Sequence, residues 1–277
     1  MKRILIATDL SSNSEAALHF VWQAAGRGAV APTFLYVHNV LRPTTWHQSK
    51  YFAYEQQELA HAQQRLEQFV DLNRQRLKVT AGENTCVVIN SAVVDRAIMG
   101  YAAEHQFDYI CIGARGAGAL EKLFGTTAAT LINQSAIPVI AVPASYRPSP
   151  VKQVLYASDL TNVVPELNQV IDFARPLGAS VNLVHFMETN HPVITSATLQ
   201  KTIRQFTDYE VTIDLEAALF GHTLVDNLEQ VIQGQQPSLL VMFTTPRSGF
   251  LQRLVSPSHS AEYAFIGSVP LLVFTRK

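Results

Sequence analysis

The chain has 277 residues, 48% of them apolar and 16% charged, with 21 basic against 22 acidic side chains. Such a composition belongs to a globular protein, and its near-neutral charge gives no electrostatic footprint for nucleic acid or an anionic membrane. No apolar run approaches the length of a bilayer span, and Thr8-Asp9 arrives too early for the core of a signal peptide. A cytoplasmic location is the expectation, with Cys86 and Cys111 as reduced thiols inside apolar runs.

Apolar runs with strand character occur at 3–9, 32–40, 85–91, 108–114 and 138–144. Between them lie helical patterns at 11–25, 51–77, 93–105 and 126–134. Continuous apolar strands alternating with helices predict a parallel sheet covered on both faces, joined by right-handed crossovers. Residues 145–151, SYRPSPV, read as a short stiff linker. A second set of runs follows at 153–159, 179–187, 211–218, 238–244 and 270–275.

The second set repeats the first. KRILIATDLSSNSEAALHF returns in outline as KQVLYASDLTNVVPELNQVIDF, and SAIPVIAVP near Pro138 returns as GSVPLLVFT near Pro270. Asp9 and Asp159 stand 150 residues apart, but Pro138 and Pro270 only 132. The shortening must lie mainly between the second and third strands, where the first copy has its long Gln-rich helix. Each copy has the size of a domain, which predicts α/β architecture in two tandem Rossmann-like domains, 1–145 and 152–277.

In an open parallel sheet, ligands sit beyond the carboxyl ends of the strands. Asp9 ends the first strand and Gly113 the fourth, followed by GARGAGALEKLFGTT. Gly113 and Gly116 would let the backbone approach a ligand, and Gly125-Thr126-Thr127 would open the next helix, where free amides favour phosphate. Arg115 could reach phosphate or ribose, and Asp9 could accept from a nucleoside. The second copy has Phe243 and Pro246 at the loop glycines and Ser256-Pro257-Ser258 for the terminal Gly-Thr, so loss of the phosphate site is expected there. Asp159 then becomes a turn or cap residue.

On ATDLSSNSEAAL, GARGAGALEKLFGTT and IPVIAVP the chain resembles the universal stress proteins in their tandem-domain form. The ATP-binding members of that family carry Gly-x2-Gly-x9-Gly-(Ser/Thr) on a five-stranded sheet of the adenine nucleotide alpha hydrolase-like type. Gly113, Gly116, Gly125 and Thr126 follow it with eight residues between the last two glycines. The resemblance implies an adenine nucleotide, ATP with or without Mg²⁺, in the first copy. Ala7, Thr8 and Asp9 would border adenine and ribose, and Val37 and Ile112 would pack on the base. Gly113, Arg115 and Gly116 would lie around ribose and phosphates, which Gly125, Thr126 and Thr127 would hold. It also implies pairing of the two halves through their last strands, 137–144 and 269–276, and a homodimer as a further assembly.

No Walker lysine, nucleophile elbow or His-Glu-x-x-His helix is present. No catalytic residue or metal ligand is therefore assigned. The expected function is an ATP-binding regulator of the stress response. The alternatives are a nucleotide-independent scaffold and a weak ATPase or autokinase.

Overall fold

The structure, a computed structural model, describes residues 1–25, 30–79, 84–114, 120–187, 195–218, 221–245 and 269–276, with the side chains of 120–125 excluded. The first half contains β1 (Lys2–Thr8), α1 (Ser12–Ala25), β2 (Val30–His38), α2 (Gln48–Arg76), β3 (Thr85–Asn90), α3 (Val94–Glu104), β4 (Tyr109–Ala114), α4 (Leu120–Gln134) and β5 (Val139–Pro143). The second contains β6 (Gln153–Ala157), α5 (Val163–Ala174), β7 (Ser180–Met187), α6 (Ser196–Arg204), β8 (Val211–Ala217), α7 (Leu224–Gln235), β9 (Leu239–Thr244) and β10 (Leu271–Thr275). All ten expected strands are present.

Each half is a five-stranded parallel sheet, ordered β3-β2-β1-β4-β5 and β10-β9-β6-β7-β8. Strand order reverses between β1 and β4, and again between β6 and β9. At those points successive crossovers leave for opposite faces and a gap opens beyond the strand ends. Alternation along β1 feeds two cores. Ile4 and Ile6 pack with α1 and α2, whereas Leu5 and Ala7 pack with α3 and α4. Both sheet faces are covered, which explains why the strands are apolar throughout.

β5 and β10 pair antiparallel, with Ala141 opposite Leu271 and Val139 opposite Val273, so ten strands form one sheet. Tyr109 of β4 packs edge-on against Phe173 of α5 and Phe274 of β10, at centroid distances of 5.3 and 6.3 Å. Thr275 donates across the same seam to the Ser135 carbonyl at 2.8 Å. The linker is held too. Tyr146 is buried against Phe20 and donates to the Ser149 carbonyl.

The 29 residues of α2 face the 9 of α6, which places the length difference between second and third strands, as the repeat offsets required. α2 begins at Gln48, three residues before the expected Tyr51. It buries Ala62, Leu66 and Val70, and Gln63 donates to the Cys86 carbonyl on edge strand β3. Gln200 of α6 donates likewise to the Val211 carbonyl on edge strand β8. Among the described residues no helix is long and apolar enough to cross a membrane.

A shared core across a hydrogen-bonded seam should make the halves unfold as one cooperative unit. Calorimetry should show a single unfolding transition, and Tyr109→Ala should lower its midpoint by removing about 3–5 kcal/mol of packing. Two separable transitions would contradict the shared core.

Candidate functional site

The turn after β1 sets the first edge of the site. Leu10 takes a left-handed backbone, φ 62°, and donates its amide to Thr8 Oγ1 at 3.0 Å. Thr8 Oγ1 also lies 2.7 Å from Ser14 Oγ, so its hydroxyl is spent inside the turn. Ser11 donates through its amide and its hydroxyl to Asp9 Oδ1, at 3.1 and 2.6 Å. The carboxylate is thereby steered while Oδ2 has no hydrogen bond among the described residues.

Beyond this turn lies a cavity of about 280 Å³ lined by Ala7, Thr8, Asp9, Val37, Ile112, Gly113, Thr126 and Thr127. These eight are all residues that sequence reasoning selected. They come from the ends of β1, β2 and β4 and from α4, at the point where strand order reverses. Arg115 and Gly116 lie outside the described residues. Gly125 lies within α4, where only the backbone is described.

Ala128, next to the threonines, lines the cavity as well, and the walls that were not anticipated are Asn13, Ser14, Leu35, Tyr36, Val94 and Ile98. Leu35 shares the sheet face of Val37 by strand alternation, and Val94 and Ile98 share a helix face at a spacing of four. Those periodicities are visible in sequence, but what they face is not. Leu35, Val37, Ile98 and Ile112 give the cavity apolar walls. Asp9, Asn13 and the two threonines supply polar groups at its rim.

One expectation is corrected. Gly125-Thr126-Thr127 does not open a helix, because α4 already runs from Leu120. The amides of Thr126 and Thr127 therefore lie in an inner turn, directed at carbonyls four residues back rather than at a ligand. Their side chains still line the cavity. Gly113, for its part, is required by helix packing. A Cβ there would stand 2.5 Å from the Asn13 carbonyl oxygen and 2.9 Å from Ser14 Cα, on the α1 side.

The second half repeats the turn and fills it differently. Leu160 is again left-handed, φ 61°, and its amide bonds Ser158 Oγ at 3.1 Å. Thr161 donates to Asp159 Oδ1 at 2.9 Å, so Asp159 is a turn residue as expected. It is more than that, because Arg276 grips both its oxygens at 2.7 and 2.8 Å. Burial works against ionisation of Asp159, but the Arg276 bonds and the Thr161 amide outweigh it and hold its carboxyl below the usual range. Phe243, at the position of Gly113, is buried against Tyr156 and stacked on Phe274 at 4.9 Å. Pro246 and Ser256-Pro257-Ser258 lie outside the described residues.

Both cysteines are free, and burial raises the Cys86 thiol to about 11 and pushes the Cys111 thiol higher still. Among the described residues no cluster of three His, Cys, Asp or Glu could hold a metal ion.

The family model for the universal stress protein family matches residues 1–143, a little over half of the chain. The chain belongs to the universal stress protein family. A universal stress protein from Archaeoglobus fulgidus DSM 4304 superposes with TM-score 0.69 at 16% identity, covering 99% of this chain and 98% of its own. A putative universal stress protein from Pseudomonas aeruginosa UCBPP-PA14 superposes at 0.55 and 14% identity, covering 99% and 93%. A functionally unknown protein from Pseudomonas aeruginosa PAO1 gives 0.56 and 14%, covering 99% and 92%. At these identities the likeness is one of fold, and it spans both halves of this universal stress protein. No curated protein matches the sequence.

Two measurements follow from this geometry. Gly113→Ala should destabilise the protein by about 1–3 kcal/mol through overpacking against α1, read as a lower midpoint without any nucleotide. A depressed folded-state pKa at Asp159 means its stabilisation is present above its unfolded value, about 3.9, and lost as pH falls through the folded one. Thermal midpoints should therefore drop as pH falls below about 4 more steeply for the natural protein than for Asp159→Asn.

Proposed function

We propose that the chain is an adenine-nucleotide-binding regulatory protein of the stress response, acting in the cytoplasm, with ATP seated in the first half. What supports this is one observation: eight residues from four separated segments, each selected for nucleotide chemistry, meet around one cavity. A volume of about 280 Å³ is close to the lower end of ligand pockets, roughly 300 Å³. That suits a base and ribose held by protein, with phosphates extending towards the loop of Arg115 and Gly116.

In this reading Val37 and Ile112 sandwich adenine with Ile98. Ala7, Thr8 and Asp9 border adenine and ribose, with Asp9 Oδ2, which has no hydrogen bond among the described residues, accepting from a sugar hydroxyl. Gly113, Arg115 and Gly116 follow the sugar and phosphates, and Gly125, Thr126 and Thr127 complete the far wall, with Mg²⁺ accompanying the triphosphate. The threonines act through their hydroxyls, since their amides lie within the helix. Domain limits of 1–145 and 152–277 accord with this division, the second domain serving as a built-in partner through β5 and β10. The outer strands remain for association with a further copy.

The α4 start at Leu120 favours a second reading, a nucleotide-independent scaffold, because it removes the amides expected at the phosphates. Calorimetric titration with ATP and Mg²⁺ separates the two. The nucleotide reading predicts one site per chain, abolished by Val37→Trp, which fills the base slot without entering the α1 interface. Asp9→Ala should weaken affinity about ten- to hundredfold, the worth of a hydrogen bond to a charged group. Absence of heat at millimolar nucleotide would leave the scaffold.

A further inference from the structure

The two halves share their Asp-Leu turn, and three of the positions that differ around it act together. The first half has Ile6, Ala16 and Ala144, and the second has Tyr156, Glu166 and Arg276 at the repeat offsets of 150 and 132. The equivalence holds in the backbone, since Ala144 donates to the Ala114 carbonyl at 2.9 Å and Arg276 to the Thr244 carbonyl at 2.7 Å. The three exchanges meet at one point. Arg276 donates from Nε to Glu166 Oε1 at 2.6 Å, and from its two terminal nitrogens to the two Asp159 oxygens at 2.7 and 2.8 Å. Tyr156 donates to the other Glu166 oxygen at 2.5 Å and accepts from Ser158 at 3.0 Å.

This arrangement is more specific than a surface ion pair. Glu166 is only 3% exposed on α5, so its carboxylate needs a partner inside the fold. All three guanidinium nitrogens are engaged by two carboxylates set at a right distance for a planar fork, a geometry that an ammonium cannot reproduce. The receptor stands at the carboxyl end of β6, the edge where the first half has its cavity. The guanidinium comes from the residue just past β10, having crossed the end of β9.

We propose that the second half carries a guanidinium-binding site, formed by Asp159, Glu166 and Tyr156, which the chain's own Arg276 occupies as an internal ligand. The occupied site pins the β6–α5 turn to β10, and β10 is the strand that pairs with β5 across the seam. It gives the second half a ligand that never leaves. This inference is independent of whether the first cavity takes a nucleotide.

The test is chemical rescue in the full chain. Arg276→Ala should lower the thermal midpoint by roughly 10 °C, because it leaves the Glu166 carboxylate buried without its cation. Millimolar ethylguanidinium should restore most of that loss in R276A, with no gain in the natural protein or in the double variant R276A/D159N. Ethylammonium should restore little. An unchanged midpoint in R276A, or equal rescue by ethylammonium, would overturn the site. Should R276A not fold, the natural protein gives the answer by NMR. Arg276, assigned by its loss in R276K, should show separate, slowly exchanging Nη–H protons, and a single averaged signal would overturn the site.

Discussion

Everything in this molecule depends on the parting of the chain at the carboxyl ends of β1 and β4. The two strands are hydrogen-bonded neighbours, yet their following helices leave for opposite faces, α1 on one side and α4 on the other. That divergence cannot be closed by backbone alone, and what fills the gap decides what each half is for. In the first half the filling is a cavity with apolar walls and one steered carboxylate. α1 reaches that edge only because Gly113 has no side chain to hold it away.

The second half shows the same divergence under different occupancy. Its Asp-Leu turn has the same left-handed residue and the same hydroxyl-to-amide bond, so the duplication survives at the level of single hydrogen bonds. Phe243 takes the space that Gly113 leaves to α1, and α5 begins at Val163, one residue later in its repeat than α1 at Ser12. Arg276 then engages both oxygens of the carboxylate whose first-half counterpart, Asp9, has no hydrogen bond at Oδ2 among the described residues. The two halves are therefore not a working copy and a decayed copy. Among the described residues, one has a cavity at this edge, and the other satisfies it from within and joins the seam.

Sequence made the fold legible because each level agreed: continuous apolar strands, helical spacing between them, and a repeat that fixed the topology twice. Val37 and Ile112 were legible through the resemblance, which carries a base-packing role onto the ends of the second and fourth strands. Val94, Ile98 and Asn13 were not, since a helical period says which residues share a face but not what they face. The start of α4 was misplaced for a physical reason. Gly125 reads as a helix breaker, but a glycine inside a helix costs only about 1 kcal/mol, which tertiary packing of Ala128, Leu131 and Ile132 exceeds. Arg276 escaped notice because its partners lie more than a hundred residues away, and no local pattern announces a contact of that span.

The central claim is that an adenine nucleotide enters the first half beside β1 and β4. Methyl NMR of the intact chain, titrated with ATP, reads it directly by place. The account predicts shifts at Val37, Ile98 and Ile112, while Val184, Val225 and Leu240 in the matching core of the second half stay fixed. Shifts confined to that second set, with the first unmoved at saturating nucleotide, would contradict it.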